Sequence, residues 1–171
     1  MNDKNKKNEL LEPLIVALNL EKEGKQLFLK AAAETDSKLA RQTFEFLAKE
    51  EDHHIANIEE FYKSLESTID ADIMEVEDSN ADEKLELFNK KLESLVDGFS
   101  PTKTDVDAYK LALQFENGAE EYYQELYDKA TNPKVKKFYK WLIIEETMHS
   151  RLINSCLKFV EDPAEWFKSR K

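Results

Sequence analysis

Apolar residues recur every three or four positions along most of this chain, and that spacing is typical of one face of an α-helix. In the first such segment Leu14, Ala17, Leu18 and Phe28 fall on a single stripe. Three further segments repeat the pattern, and short breaks separate the first from the second and the third from the fourth. The pattern therefore predicts four long helices, over about residues 9–34, 37–67, 105–131 and 133–160.

The segment between the two helix pairs, residues 68–104, loses the helical period except in a shorter amphipathic piece, "EKLELFNKKLESLVDGF". Thr104 is a candidate N-cap for the third long helix, with acidic residues in the following turn. Pro133 suits the first turn of the fourth, and a short tail, 161–171, follows. We predict one all-α domain over residues 1–171: helix pairs 9–67 and 105–160 in a four-helix bundle, with one long crossover that contains a short extra helix.

Composition narrows the class of protein. The 171 residues include only 3 Gly and 4 Pro, which agrees with long helices and few turns. The net charge of −11 and the absence of a basic stripe argue against nucleic acid and anionic membranes as partners, and favour cations. Cys156 is the single cysteine, so no intrachain disulfide or Cys-x-x-Cys centre exists in this sequence. With no membrane-spanning run or signal-like segment, we expect a cytoplasmic protein.

The two helix pairs are related by an internal repeat with a shift of 95 residues. "ALNLE" (17–21) aligns with "ALQFE" (112–116), and "LAKEEDHH" (47–54) aligns with "LIIEETMH" (142–149). Each half therefore carries a Glu and, 30 residues later, a Glu-x-x-His motif. His53 aligns with Met148, which predicts an imidazole at the surface or just behind the ligands rather than a ligand. Glu50 and Glu145 lie one position off the apolar stripe, and we expect both to face solvent.

The matched residues interrupt apolar seams, which predicts that they point into the bundle. Residues three apart share a helix face, so each Glu-x-x-His motif presents an oxygen and a nitrogen to the same place. Four buried carboxylates without partners are costly, whereas two divalent cations balance their charge. Glutamate with one imidazole per metal favours iron or manganese by ligand type, and zinc competes by affinity. The candidate metal ligands are Glu21, Glu51, His54, Glu116, Glu146 and His149.

The phrases "ALNLEKEGKQLF", "FEFLAKEEDHH" and "YKWLIIEETMH" resemble the rubrerythrin branch of the ferritin-like superfamily, here without a rubredoxin domain. The resemblance implies a non-haem di-iron oxidoreductase that reduces hydrogen peroxide or oxygen in defence against oxidative stress. In that interpretation Glu51 and Glu146 bridge two irons, and the pairing of the other ligands is left open. A separate electron donor such as rubredoxin is implied, and we expect a homodimer because the long crossover allows helix exchange.

The chain departs from the family at one position. Rubrerythrins carry an extra glutamate three residues after the ligand on the third helix, and Ala119 stands there. Glu120 follows it but aligns with Lys25, which predicts an exposed side chain. The six remaining ligands equally resemble a ferroxidase centre, so an alternative function is oxidation of Fe²⁺ for iron handling or storage. A third alternative is a metal that only stabilises a helical interaction module.

Tyrosines near the third-helix ligand are further candidates. Tyr123 lies two turns after Glu116 on the same face, which makes it a candidate hydrogen-bond donor to a ligand. Its repeat partner, Phe28, lacks the hydroxyl. Tyr122 and Tyr127 are more typical of packing residues. Trp166 is predicted to cover the end of the bundle.

Overall fold

The structure, a computed structural model, describes residues 3–67, 73–94 and 102–168. The described residues form six helices: α1 Asp3–Glu34, α2 Lys38–Ser67, α3 Ala81–Ser94, α4 Lys103–Lys129, α5 Pro133–Glu161 and α6 Pro163–Lys168. The predicted all-α bundle with one long crossover and an extra helix within it is confirmed. α1 and α2 pack closely as one pair, and α4 and α5 as another; α1 also contacts α4, α2 contacts α5, and α3 and α6 lie against α5.

Two helix starts differ from the sequence prediction. α1 begins at Asp3, before residue 9, so its first turns lie ahead of the apolar stripe. The N-cap of α4 is Thr102, and the prediction of Thr104 was wrong. The Thr102 hydroxyl accepts a hydrogen bond from the Asp105 backbone N–H, and the Asp105 carboxylate accepts one from the Thr102 N–H, which satisfies two helix-end donors at once. The predicted start of α5 at Pro133 is confirmed, after Asn132 as N-cap.

The apolar interior is divided into two cores, and every long helix contributes to both. The first core includes Phe28, Phe44 and Tyr109, and the second includes Leu14 and Phe61. Between them each helix places charged residues that are as buried as the apolar ones. The bundle thus encloses a polar layer between two water-excluding cores.

The crossover and the C-terminal helix pack onto the bundle through apolar side chains. Ile73 and Val76 join the second core, while the Leu85 and Phe88 side chains of α3 join the first. Trp166 on α6 packs edge-on against Phe159 with ring centroids 5.3 Å apart, and its indole N–H donates to the Ser155 hydroxyl. The prediction that Trp166 covers the bundle is confirmed, and Cys156 lies in the first core as a packing residue. None of the described helices combines the length and the hydropathy needed to cross a membrane.

Two helical glycines provide a test of how closely α1 and α4 approach. A Cβ added at Gly24 would lie 2.8 Å from the ring of Phe115 on α4, whereas a Cβ at Gly118 meets nothing within 4 Å. We expect Gly118→Ala to raise the free energy of unfolding by about 0.5–1 kcal/mol, because alanine favours the helix. We expect Gly24→Ala to lose that gain, because the Phe115 ring must shift. Urea unfolding of both variants checks this, and an equal gain at the two sites would contradict the close approach.

Candidate metal centre

The polar layer is built from residues that the four long helices supply at the same level of the bundle. α1 and α4 give one glutamate each, and α2 and α5 give one Glu-x-x-His motif each. All of these side chains are 2% exposed or less. The structure therefore brings all six sequence-predicted residues together in one buried layer: Glu21, Glu51, His54, Glu116, Glu146 and His149.

The Nδ1 atom of each imidazole points into this layer. His54 Nδ1 lies 3.0 Å from Glu21 Oε2, 3.3 Å from Glu51 Oε2 and 3.1 Å from Glu146 Oε1. On the other side, the distances of His149 Nδ1 from carboxylate oxygens are 3.1 Å to Glu116 Oε1, 3.5 Å to Glu51 Oε1 and 3.7 Å to Glu146 Oε2. Each imidazole thus faces three carboxylates, and the two rings lie parallel within 18°.

Two of the carboxylates divide their oxygens between the imidazoles. Glu51 turns Oε2 to His54 and Oε1 to His149, and Glu146 turns Oε1 to His54 and Oε2 to His149. Glu21, in contrast, approaches only His54, and Glu116 approaches only His149. The layer thus has a Glu from each of two helices and a Glu-x-x-His motif from each of the other two, which is the residue set of di-iron carboxylate bundles.

The site contains more hydrogen-bond acceptors than donors. A single Nδ1–H cannot satisfy three carboxylates, and oxygens of Glu51, Glu116 and Glu146 have no hydrogen-bond partner among the described residues. Two ligand atoms at right angles, each about 2.1 Å from a metal, lie about 3 Å apart, close to the observed N–O separations. Four of the residues (Glu51, His54, Glu146 and His149) offer ligand atoms that all lie within 4.8 Å of one another. The donor set fits divalent cations of the iron, manganese and zinc type.

Burial and mutual repulsion shift the proton affinities of the glutamates. The pKa of Glu51 is raised well above its usual value, chiefly by burial and then by the charge of Glu21. Burial, and next the charge of Glu146, raise the pKa of Glu116 in the same way. For Glu146 burial acts upward, but favourable interactions with Glu116 and the two histidines outweigh it and hold its pKa well below the usual value.

Tyr123 connects α4 to the glutamate on α1. Its side chain is fully buried, and its hydroxyl donates a hydrogen bond to Glu21 Oε1, the oxygen that does not face His54. The neighbouring tyrosines serve packing roles. The Tyr122 hydroxyl donates to the Pro13 carbonyl oxygen, and the ring of Tyr127 lies under the Lys136 ammonium.

The prediction that Glu50 and Glu145 face solvent was wrong. Both carboxylates are buried, and both pair with the ammonium of Lys84, which α3 brings to them from the crossover. Glu145 also accepts a hydrogen bond of 2.5 Å from the Ser79 hydroxyl. Although burial raises the pKa of Glu145, the nearby His54 imidazole and the hydrogen bonds from Ser79 and Lys84 lower it to about 2. One position off the apolar stripe is still interior here, because the crossover covers that face.

Part of this arrangement had a signal in the sequence. Glu50 and Glu145 are identical in the two halves of the repeat, as Glu51 and Glu146 are. Lys84 directly precedes Leu85 on the apolar face of the crossover helix, but α3 has no counterpart in the repeat. Its docking depends on tertiary contacts that periodicity does not encode.

Three further positions complete the comparison with the sequence. His53 is exposed, and its imidazole takes no part in the layer. Ala119 is buried beside the layer, so no carboxylate occupies that position. Glu120, one residue further along α4, is half-buried.

Comparisons with known proteins agree with this geometry. The family model of rubrerythrin matches residues 107–170, which include the glutamate of α4 and the Glu-x-x-His motif of α5. Searches of curated proteins and of solved structures gave no significant match. A rubrerythrin match over the second helix pair, an all-α bundle and a buried Glu/His cluster compatible with iron are together consistent with a rubrerythrin-type, ferritin-like protein.

Proposed function

We propose that this chain is a non-haem di-iron oxidoreductase of rubrerythrin type, which reduces hydrogen peroxide or oxygen. The observation that supports this most is the division of the Glu51 and Glu146 oxygens between the two imidazoles. A polar layer that only stabilised the fold would need a partner for each buried oxygen, and oxygens of Glu51, Glu116 and Glu146 have none among the described residues.

The positions of the residues support one assignment of roles. Glu51 and Glu146 would bridge two ions; Glu21 with His54 would complete one ion, and the remaining pair, Glu116 with His149, would complete the other. When bound, the two iron ions supply the two electrons that reduce one molecule of hydrogen peroxide to water, together with positive charge that stabilises the separating oxygen atoms. Manganese or zinc fits the same ligands, but zinc cannot supply electrons.

Rapid-mixing kinetics tests the activity. The anaerobic protein loaded with two Fe²⁺ per chain is mixed with hydrogen peroxide or with oxygen, and iron oxidation is followed by absorbance. We expect oxidation by peroxide at least tenfold faster than that of Fe²⁺ in the same buffer. A rate equal to that of free Fe²⁺ would exclude the peroxidase proposal.

Ferroxidase activity is a second candidate, and Ala119 favours it. The absence of a carboxylate at this buried position removes the extra ligand that rubrerythrins carry. In this alternative Fe²⁺ is the substrate and oxygen the oxidant, so the protein should take up more than two irons per chain during repeated additions of Fe²⁺ in air. Uptake that stops at two irons would contradict it.

Tyr123 provides a test of how the layer is held. We expect Tyr123→Phe to keep two metals per chain but to slow iron oxidation about tenfold, a change of roughly 1.4 kcal/mol, because Glu21 loses its hydrogen bond. The matched control is Tyr122→Phe, because the Tyr122 hydroxyl donates to the Pro13 carbonyl oxygen outside the layer. Equal rates in both variants and the wild type would assign Tyr123 to packing alone.

Two associated expectations remain proposals. Since the sequence contains a single cysteine, we expect electrons for repeated turnover from a separate donor such as rubredoxin. We also expect a homodimer. Turnover with reduced rubredoxin and light scattering of the purified protein test these two points.

A further inference from the structure

A charged cluster lies outside the six predicted ligands, against the back of His54. It consists of Glu50 on α2, Glu145 on α5 and Lys84 on α3. The Lys84 ammonium lies 2.9 Å from Glu145 Oε2 and also pairs with the Glu50 carboxylate. Both glutamates are buried, while the lysine side chain is 22% exposed. The crossover helix thus delivers one cation to two carboxylates that the bundle cannot neutralise by itself.

The cluster reaches the metal centre through the outer nitrogen of one imidazole. His54 Nε2 lies 3.8 Å from Glu145 Oε2, the oxygen that Lys84 also contacts. The Nδ1 of the same ring faces the layer. The distance from Nε2 to Glu145 is longer than a hydrogen bond, but a carboxylate beside one ring nitrogen favours the proton on that nitrogen and leaves the lone pair of the other free to bind a metal.

The other imidazole has no such support. The described carboxylates within 4.0 Å of His149 are Glu51, Glu116 and Glu146, and all three approach its Nδ1. Neither His54 Nε2 nor His149 Nε2 makes a hydrogen bond among the described residues, but only His54 Nε2 has a described carboxylate within 4.0 Å. The repeat is therefore symmetric in its candidate ligands but asymmetric behind them.

We propose that Lys84 is a positioning residue, which holds Glu145 against His54 Nε2 and so makes metal binding on the Glu21–His54 side depend on the crossover helix. This inference rests on the proposed metal centre. Removing an outer partner of a metal-bound histidine typically weakens metal binding 10- to 100-fold. The metal held with Glu21 and His54 should therefore respond to changes at Lys84, and the metal on the other side should not.

Charge alone predicts the opposite change in metal affinity when Lys84 is lost. Lys84 is a cation close to the centre, so its loss should strengthen binding of a second cation if only long-range electrostatics matters. Loss of positioning should weaken that binding instead. The direction of the change in affinity therefore separates the two explanations.

The experiment is a Co²⁺ titration of the full chain, followed by the visible absorption of the bound ion. We expect Lys84→Met to bind one Co²⁺ normally and the other at least tenfold more weakly, with altered absorption. Lys84→Arg should stay within threefold of wild type, because its guanidinium can pair with both carboxylates. The matched control, Lys90→Met, removes the same charge from the exposed part of α3 and should bind as the wild type does.

A second variant shows whether Lys84 acts through Glu145. Glu145→Gln should weaken binding of the same Co²⁺ ion. Adding Lys84→Met to Glu145→Gln should cause no further loss of affinity. If circular dichroism shows that Lys84→Met does not fold, the weaker binding expected of Glu145→Gln alone still tests the inference. Unchanged or tighter binding in Lys84→Met, or fully additive losses in the double variant, would overturn the inference. Wild-type protein that binds no Co²⁺ would instead refute the metal centre itself.

Discussion

Glu51→Ala should bind less than one iron per chain, whereas the wild type should bind two. Glu51 offers one oxygen to each side of the layer, so its removal takes a ligand from both metals at once. We expect each affinity to fall by more than about 100-fold, beyond the loss caused by removing an outer partner. Metal analysis after anaerobic equilibration with Fe²⁺ gives the number of irons bound.

Two controls define this result. Asp52→Ala removes the next carboxylate along α2, which is exposed and paired with Lys25, and should leave two irons bound. Glu116→Ala removes a carboxylate that approaches only His149 and should affect one iron. If Glu51→Ala retained two irons, Glu51 could not be a bridging ligand.

Glu116→Gln should stabilise the metal-free protein while it weakens metal binding. In the metal-free state Glu116 is fully buried, and burial and the charge of Glu146 raise its pKa. Glutamine keeps the shape and the hydrogen-bonding capacity without the charge. We expect the free energy of unfolding to rise by about 1–3 kcal/mol near pH 8, which corresponds to a Tm increase of roughly 3–10 °C.

The raised pKa values also predict how the stability of the metal-free protein changes with pH. A carboxyl whose pKa is higher in the folded than in the unfolded protein stabilises the fold below about pH 4.5, and that contribution is lost as the pH rises through the folded pKa. Glu51 and Glu116 both behave in this way. The lowered pKa of Glu146 acts only at lower pH, where its contribution is lost as the pH falls. Stability of the metal-free wild type should therefore decline from pH 5 to pH 8, and less steeply in Glu116→Gln.

Thermal melts in the presence of a chelator measure this effect. Glu121→Gln, at an exposed position of α4, is the control and should change Tm little. Added metal should reverse the order, because its ligands are ionised and binding releases protons, so the wild type gains more stability at pH 8 than at pH 5.5. Lower stability of metal-free Glu116→Gln at pH 8 would mean that the layer is a satisfied hydrogen-bond network.

The features of the fold that were predictable are those that the repeat encodes. Glu21 and Glu116 are one matched pair, and the two Glu-x-x-His motifs are the other, so their spacing along helices fixed a common level in the bundle. The turn at Pro133 was predictable because proline suits the first turn of a helix.

What the sequence did not reveal depends on contacts between distant segments. Glu50 and Glu145 are buried because α3 covers them and Lys84 neutralises them, and no periodic signal reports where a crossover helix docks. Both Thr102 and Thr104 are residues that suit an N-cap. The helix begins after Thr102 because Thr102 and Asp105 exchange hydrogen bonds, and the sequence does not show which threonine does so. The rotamers of the packed side chains likewise decide which imidazole nitrogen faces the layer, and the sequence does not give them.

The most direct test of the account is the number of iron atoms that the wild-type chain binds under anaerobic conditions. The protein is freed of metal with a chelator, titrated with Fe²⁺ and analysed for iron and protein after removal of the unbound ion. The account predicts saturation at two irons per chain. Saturation at one iron, or no binding at all, would contradict a layer in which two carboxylates are shared between two ions.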